Sequence, residues 1–407
     1  MKYNYDKKVL KGLGVGPFLN QVKLRTAKIE EAPDSIPSSE YNVNRLAKSL
    51  HPAVQHCIIT SAADHGDAKS FVLSPDRGKG TEKMAYFRAG QYVSVDLNIE
   101  GAVLSKPYTI RSAPREALGG NSRYILTVKL TDPAYASRYI LANWKEGDRV
   151  DISGPLGNFY YQELRDAETV LAVAGGSGIT PFFSMASAIA DGTEDFNLTI
   201  LYGSRTAEGI LLKDELEAVA ERSGGRVKIV HVLSDEEREG YEHGFISGEI
   251  IKKYAPEGDY SVFMCGPKAM YEYCTDECRK LGLKERRVRR EPSGDYMGAE
   301  NNEDFPKNLK GREFKLTVDI HGEKQTITCK SSESLLWAME RAGIAAPSHC
   351  RSGECGWCRS RLVSGQYYLP KEADGRRMAD EKFGWIHPCC SYPLSDMEIC
   401  VFPLSTK

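Results

Sequence analysis

Cys350, Cys355 and Cys358 stand in the order C-x4-C-x2-C within His349-Cys-Arg-Ser-Gly-Glu-Cys-Gly-Trp-Cys358, and a distant pair, Cys389-Cys390, follows. Four thiolates at this spacing suit a [2Fe–2S] cluster, three from one compact loop and one from a separate segment. Gly353 and Gly356 let backbone N–H groups of the loop turn toward the cluster sulfurs. A zinc site would more naturally show two C-x2-C knuckles, a pair this chain lacks. Seven of the eleven cysteines fall between Cys329 and Cys400, and the N-terminus lacks the apolar core of a signal peptide. A cytoplasmic location is therefore expected, where disulfides are rare and clustered thiols bind metal.

A second signature lies upstream. Thr169–Phe183 is an apolar strand, the glycine-rich turn Gly175-Gly-Ser-Gly-Ile-Thr-Pro181 and the start of a helix. Such a turn between strand and helix brings backbone N–H groups and a helix N-terminus to an anionic phosphate. It opens an alternation of strands near 198–202, 227–232 and 261–264 with helices near 213–220, 247–253 and 268–281. That order implies a parallel, doubly wound sheet with ligands at the carboxyl ends of its strands. Gly175, Gly176, Ser177, Gly178, Thr180 and Pro181, together with Cys265-Gly266-Pro267-Lys-Ala-Met270, resemble the pyridine-nucleotide domain of the ferredoxin–NADP reductase superfamily. The resemblance implies that the glycine turn binds the dinucleotide. It also implies that Cys265, Gly266 and Pro267 lie near the nicotinamide and flavin rings. Ser204 and Arg205 fall where NADPH-using relatives hold the 2′-phosphate. NADH-using relatives also carry Arg there, so NADH and NADPH both stay open.

Further upstream, Phe87-Arg-Ala-Gly-Gln-Tyr-Val-Ser-Val-Asp96 and Gly154-Pro-Leu-Gly-Asn-Phe159 are similar to elements of the superfamily's antiparallel flavin barrel. Lys106-Pro107-Tyr108-Thr109 resembles its Arg-x-Tyr-Ser motif. This implies a flavin phosphate on Lys106, an isoalloxazine flanked by Tyr108, and a Thr109 hydroxyl facing its N5 region. Lysine keeps the charge of arginine without its bidentate fork, so phosphate gripping is expected to be looser or shared with Arg111. The family's glycine-rich phosphate turn falls at Asp132–Arg138, which has no glycine and offers Ser137. FAD is the expected flavin, although relatives with this domain order include FMN enzymes.

The elements that must position these residues are legible too. Residues 313–320 and 324–329 alternate in polarity around His321-Gly-Glu323, as a β-hairpin does. Leu335, Leu336, Ala338, Met339 and Ala342 repeat at helical spacing. Strand, strand, helix, then a cysteine loop resembles the β-grasp layout of plant-type ferredoxins, and that resemblance puts the fourth ligand at Cys389 rather than Cys390. Cys329 and Cys400 lie in strand-like runs, and Cys274 and Cys278 on a helix; all four read as packing residues. The chain thus reads as multidomain. An N-terminal extension (1–48) precedes an antiparallel β-barrel flavin domain (49–164) and an α/β doubly wound nucleotide domain (165–292). A linker (293–312) and an α+β β-grasp ferredoxin domain (313–407) follow. The Gly12-Leu-Gly-Val-Gly16 run has no strand before it and reads as a flexible arm, with Tyr3, Tyr5, Leu10, Val15 and Phe18 as apolar docking residues.

With 54 basic against 56 acidic residues, the chain has no general field for nucleic acid. No apolar run is long enough to span a bilayer. No Ser–His–Asp or paired-carboxylate constellation emerges. A nicotinamide gives up two electrons as a hydride, a [2Fe–2S] cluster takes one, and a flavin does both, which is the reason to join these sites. The domain order resembles that of oxygenase reductases of the phthalate dioxygenase reductase type. It implies an NAD(P)H-dependent oxidoreductase, with Thr109 and Cys265 bordering the reacting atoms. Electrons would leave through the cluster to a protein acceptor, an oxygenase or reductase component. The alternative is an electron-wiring or regulatory subunit of a stable complex, or reverse flow that reduces NAD(P)+.

Overall fold

The computed structural model describes residues 15–31, 41–131, 135–291 and 294–401. Tyr3, Tyr5, Leu10, the Gly12–Gly14 part of the glycine run, Asp132–Ala134 and Ser293 lie outside the described residues, as do the side chains of Val15 and Phe18. The chain divides into two units, Met1–Ser49 and Leu50–Lys407. The first holds helix α1 (Val15–Glu30) and most of α2 (Asn42–Leu50). Along α2, Val43, Leu46 and Leu50 share one face at helical spacing and are exposed.

In the second unit, six strands form the first sheet. They are β1 (Gln55–Asp64), β2 (Ala68–Pro75), β3 (Tyr92–Ile99), β4 (Ala102–Thr109), β5 (Tyr124–Lys129) and β6 (Arg149–Ile152). Their order is β4-β3-β6-β1-β2-β5, antiparallel throughout. The sheet curls until its edges touch at one bridge, Ile110 to Leu126, so the expected barrel is a half-barrel closed by a single contact. Alternate side chains, among them Ile59, Phe71, Val93, Val95 and Leu126, fill its inside. Pro107 is tolerated because β4 is an edge strand, where a missing N–H costs no ladder bond. Helix α3 (Tyr135–Asn143) buries Ile140 in the same core, and Lys69 Nζ donates to the Leu141 carbonyl in its last turn (2.9 Å).

The second sheet is all parallel, as the strand–helix alternation requires. Its strands are β7 (Thr169–Gly175), β8 (Asn197–Ser204), β9 (Val227–Leu233), β10 (Glu242–His243), β11 (Ser261–Cys265) and β12 (Val288–Arg290). The order is β10-β9-β8-β7-β11-β12. Helices α4 (Thr180–Ala190) and α5 (Lys213–Arg222) cover one face. Helices α6 (Gly248–Tyr254) and α7 (Lys268–Lys280) cover the other, where Cys274 and Cys278 are buried packing residues as expected. From β7 the chain builds outward through β8 and β9, then returns to β11 on the far side of β7. The switch point between β7 and β11 therefore receives the two turns singled out in the sequence. Arg289 ties this sheet to the segment that leads into it from β6: Nη1 donates to Asp166 and to the Tyr160 carbonyl, both at 2.7 Å.

The third sheet begins with β13 (Glu313–Ile320) and β14 (Glu323–Lys330), paired as the predicted hairpin. Helix α8 (Leu335–Arg341) follows, with the Ser334 side chain accepting the Trp337 N–H at its N-cap. Strand β15 (Ser360–Ser364) comes after the cysteine loop. A two-stranded ribbon pairs β16 (Tyr367–Tyr368) with β18 (Tyr392–Pro393). Helix α9 (Met378–Lys382) and strand β17 (Trp385–Ile386) lie between them in sequence, and β19 (Met397–Val401) ends the module. The five-stranded order is β14-β13-β19-β15-β17, with β13 and β19 parallel, and α8 packs its apolar face into that sheet. Cys329 is buried in this core, whereas Cys400 is only half-buried. The stretch expected as a linker is packed: Ala299 and Phe305 are buried against Tyr368 and Tyr392, with the Phe305 and Tyr368 rings edge-to-face at 5.0 Å. Phe305→Ala is expected to cost about 3 kcal/mol of stability. Thermal unfolding would measure this, and limited proteolysis would show new cleavage within 294–312.

Candidate cofactor cleft and cluster loop

A single cleft of about 2220 Å³ runs between the first two sheets. Lys106, Pro107, Tyr108, Thr109 and Ser137 line one end, and Gly175, Gly176, Ser177, Gly178 and Thr180 the middle. Cys265, Gly266 and Pro267 face the same middle section, and Ser204 and Arg205 line the far end with Asp235. Of the residues expected at these sites, Pro181 does not line the cleft; it is buried at the start of α4, where its fixed φ suits the first turn. Arg111 is absent from the lining as well. Beyond the end of β4 it turns into the core, with Cζ 4.6 Å above the Phe183 ring.

Close approach explains the glycines. A Cβ on Gly178 would stand 2.0 Å from the Cys265 carbonyl oxygen, and one on Gly175 would stand 2.9 Å from Pro267 Cδ. The turns after β7 and β11 therefore interlock, and only a glycine fits between them. Tyr271 fixes the second turn: its hydroxyl accepts the Gly266 N–H (3.1 Å) and donates to the Glu291 carbonyl (2.8 Å). Burial, reinforced by Glu291, pushes the Cys265 thiol far up, so it is neutral. Burial, with Glu354 beside it, likewise pushes the Glu291 carboxyl up to about 8. At the far end the Ser204 hydroxyl is buried without a hydrogen-bond partner, a seat for a polar ligand group. At the flavin end, Ser137 Oγ accepts the Thr131 N–H (3.2 Å) in the first turn of α3. No glycine or capping residue announced that helix. Lys106 lines the cleft, yet its Nζ pairs with Asp295, with the Trp337 ring 5.3 Å away.

Among the described residues, no three or more Cys, His, Asp or Glu side chains converge on one point. The four expected ligands fall instead into two pairs. Cys358 Sγ lies 3.4 Å from Cys389 Sγ, and Cys350 Sγ accepts the Cys355 N–H at 3.4 Å and the Ser352 N–H at 3.5 Å. Two pairs of thiols with N–H groups aimed at sulfur suit a binuclear cluster rather than one ion. The Cys355 thiol, helped by the Ser352 hydroxyl and these N–H groups, holds the Cys350 thiol below its usual range against the effect of burial. Of the adjacent cysteines, Cys389 meets Cys358, whereas Cys390 Sγ lies 3.4 Å from the His387 carbonyl and would stand 2.9 Å from a Cβ on Gly353. Cys355 is the exposed member of the four, beside a half-exposed Trp357.

Sequence reasoning passed over the residues that join these sites. Arg351, directly after Cys350, is 1% exposed and holds φ at 62°, a region that disfavours side chains. Although burial works against both charges, Arg351 and Lys106 hold the Asp295 carboxyl below its usual range. The motif around Arg351 was in view, but its partners Asp295, Glu340 and Ser105 carry no pattern of their own.

Three family models match the chain: an oxidoreductase FAD-binding domain over residues 67–161, an oxidoreductase NAD-binding domain over 172–276, and a 2Fe-2S iron-sulfur cluster binding domain over 318–394. The ferredoxin reductase component of 3-ketosteroid-9-alpha-monooxygenase from Mycobacterium tuberculosis is 29% identical over 83% of this chain and 93% of its own. The reductase subunit of stachydrine N-demethylase from Rhizobium meliloti is 28% identical over 76% of this chain and 87% of its own. Phthalate dioxygenase reductase, solved as a modular structure for electron transfer from pyridine nucleotides to [2Fe-2S], superposes with a TM-score of 0.59 at 25% identity. That match covers 86% of this chain and 98% of the other. Fold and modules together define an NAD(P)H-dependent oxidoreductase with FAD and a [2Fe–2S] cluster. The chain carries FAD-binding, NAD-binding and 2Fe-2S domains in the order of phthalate dioxygenase reductase, as the resemblance to the ferredoxin–NADP reductase superfamily implies.

Gly178→Ala drives a methyl into the Cys265 carbonyl, an overpacking of about 1–3 kcal/mol, so KM for the nucleotide is expected to rise roughly ten- to a hundredfold with flavin and iron content kept. Separate Cys389→Ser and Cys390→Ser variants, compared by iron content and visible absorption, are expected to lose and to keep the cluster respectively.

Proposed function

We propose that the chain is the reductase component of an oxygenase system, taking electrons from NAD(P)H and delivering them to an oxygenase partner. The observation that carries this is one cleft bearing both the flavin motif and the nucleotide turns, in a chain whose cluster loop has one ligand, Cys355, at the surface. The relatives named as reductase components of a monooxygenase and a demethylase support the choice of partner class. When bound, FAD accepts the electron pair of a hydride, and a [2Fe–2S] cluster accepts one electron at a time, the conversion that this order of modules serves.

The chain's own residues do the rest. The N–H groups of Gly176–Gly178 and the N-terminus of α4 bind the nucleotide pyrophosphate. The Ser204 hydroxyl takes a ribose oxygen, and Arg205 and Asp235 frame the adenosine end. The first turn of α3, with Ser137, takes the flavin phosphate, because the Lys106 ammonium is paired with Asp295. Tyr108 covers the flavin ring and Thr109 presents its hydroxyl to it. Cys265, neutral and buried, packs at the nicotinamide and excludes water. Cys350, Cys355, Cys358 and Cys389 would hold the cluster, which would accept single electrons there.

Anaerobic mixing of the cofactor-loaded chain with NADH, and separately with NADPH, tests this reading. At least one nucleotide is expected to bleach the flavin and then the cluster absorbance. Thr109→Val is expected to slow flavin bleaching about tenfold or more, with cofactor content unchanged. If neither nucleotide bleaches the wild-type chain, it is a wiring subunit of another enzyme and not a reductase.

A further inference from the structure

On β4, Ser105 directly precedes the flavin motif and Lys106 opens it, and Ser348 and Arg351 flank the expected ligand Cys350. These two short segments meet. Arg351 Nε donates to Asp295 Oδ1 at 2.7 Å, its Nη2 to Glu340 Oε2 at 2.9 Å, and its Nη1 to the Ser105 carbonyl at 3.1 Å. The second Asp295 oxygen accepts from Lys106 Nζ. Ser105 Oγ donates to the Ser348 carbonyl at 2.9 Å and lies 2.8 Å from the Ser348 hydroxyl. The Gly294 N–H donates to the Cys350 carbonyl at 2.9 Å, which draws the segment bearing Asp295 onto the cluster loop. Two cations and two carboxylates thus close a neutral knot whose members come from the flavin strand, the connecting segment, α8 and the cluster loop.

Within the proposed electron path, on which this inference rests, we propose that the Arg351–Asp295–Lys106–Glu340 knot is the positioning device that sets the flavin-to-cluster distance. Arg351 and Asp295 are its positioning residues. The reason is geometric. Arg351 is buried and its partners are largely shielded, so a shift of the ferredoxin module along β4 would part Lys106 from Asp295 or Asp295 from Arg351. The observed register satisfies all four. Because β4 also carries Tyr108 and Thr109, that register is tied to the flavin ring itself. Electron transfer weakens exponentially with separation, so a small loosening has a large effect on rate.

The test uses the full, cofactor-loaded chain as wild type, Asp295→Asn, Asp295→Glu and Ser348→Ala. Each is mixed anaerobically with the nucleotide that bleaches the wild type, and hydrogen exchange is followed over 103–109 and 346–353. In Asp295→Asn, flavin bleaching is expected at the wild-type rate, whereas cluster bleaching slows at least about tenfold. Exchange is expected to rise in both segments, Asp295→Glu to recover part of the rate, and Ser348→Ala to show a smaller slowing of the cluster phase alone. Cluster bleaching at the wild-type rate in both Asp295→Asn and Ser348→Ala overturns the proposal. Loss of the cluster from both does so too, since the knot would then belong to cluster binding and not to spacing. If no nucleotide bleaches the wild-type flavin, the reductase reading fails by itself, and unchanged hydrogen exchange in Asp295→Asn is then the result that overturns the knot.

Discussion

A guanidinium with almost no contact with water must have its charge met by protein on every side, and Arg351 is held to that requirement. Its donors reach a carboxylate in the connecting segment, a carboxylate on α8 and a backbone carbonyl of β4. These groups come from parts of the chain that fold as separate layers. Removing one partner leaves a buried charge unanswered, at about 3–5 kcal/mol. The flavin sheet and the ferredoxin module are therefore fixed to each other by a requirement of electrostatics, while apolar packing of Phe305 and its neighbours holds the connecting segment onto the ferredoxin module.

The nucleotide sheet is joined by a comparable device to the segment that leads out of the flavin sheet. Arg289 and Asp166 form a buried pair, and the guanidinium also reaches carbonyls of Asn158 and Tyr160. In both joints an arginine stands at the end of a functional element: one follows a cluster ligand, the other lies on the strand beside β11. Arginine suits the task because several fixed donors answer several acceptors at once. The cleft that receives flavin and nucleotide is consequently bounded by two locked seams.

What was legible in the sequence was local. The C-x4-C-x2-C loop, the Gly175–Pro181 turn and the Lys106–Thr109 motif each lie within ten residues, and their spacing survives folding. Strand and helix positions followed from periodicity to within a residue or two, as in β13, β14 and α8. The failures share a cause. Helix α3 begins at a segment whose turn chemistry carries no glycine, and β10 is two residues long, too short for any pattern. Asp295, Glu340 and Ser105 are ordinary polar residues; Ser105 and Arg351 lie 246 positions apart, a contact no spacing rule reports. Lys106 was read through its neighbours in the motif, and the structure gives its ammonium a partner that only the tertiary fold supplies.

Strand β4 is the open edge of its sheet, and the ferredoxin module lies against it through Ser348 and Arg351. An uncovered edge strand is a template for pairing with another chain. The cluster module covers the Ser105 stretch of that edge with hydrogen bonds. A replacement module at this place would have to meet the Ser105 carbonyl and hydroxyl as Arg351 and Ser348 do.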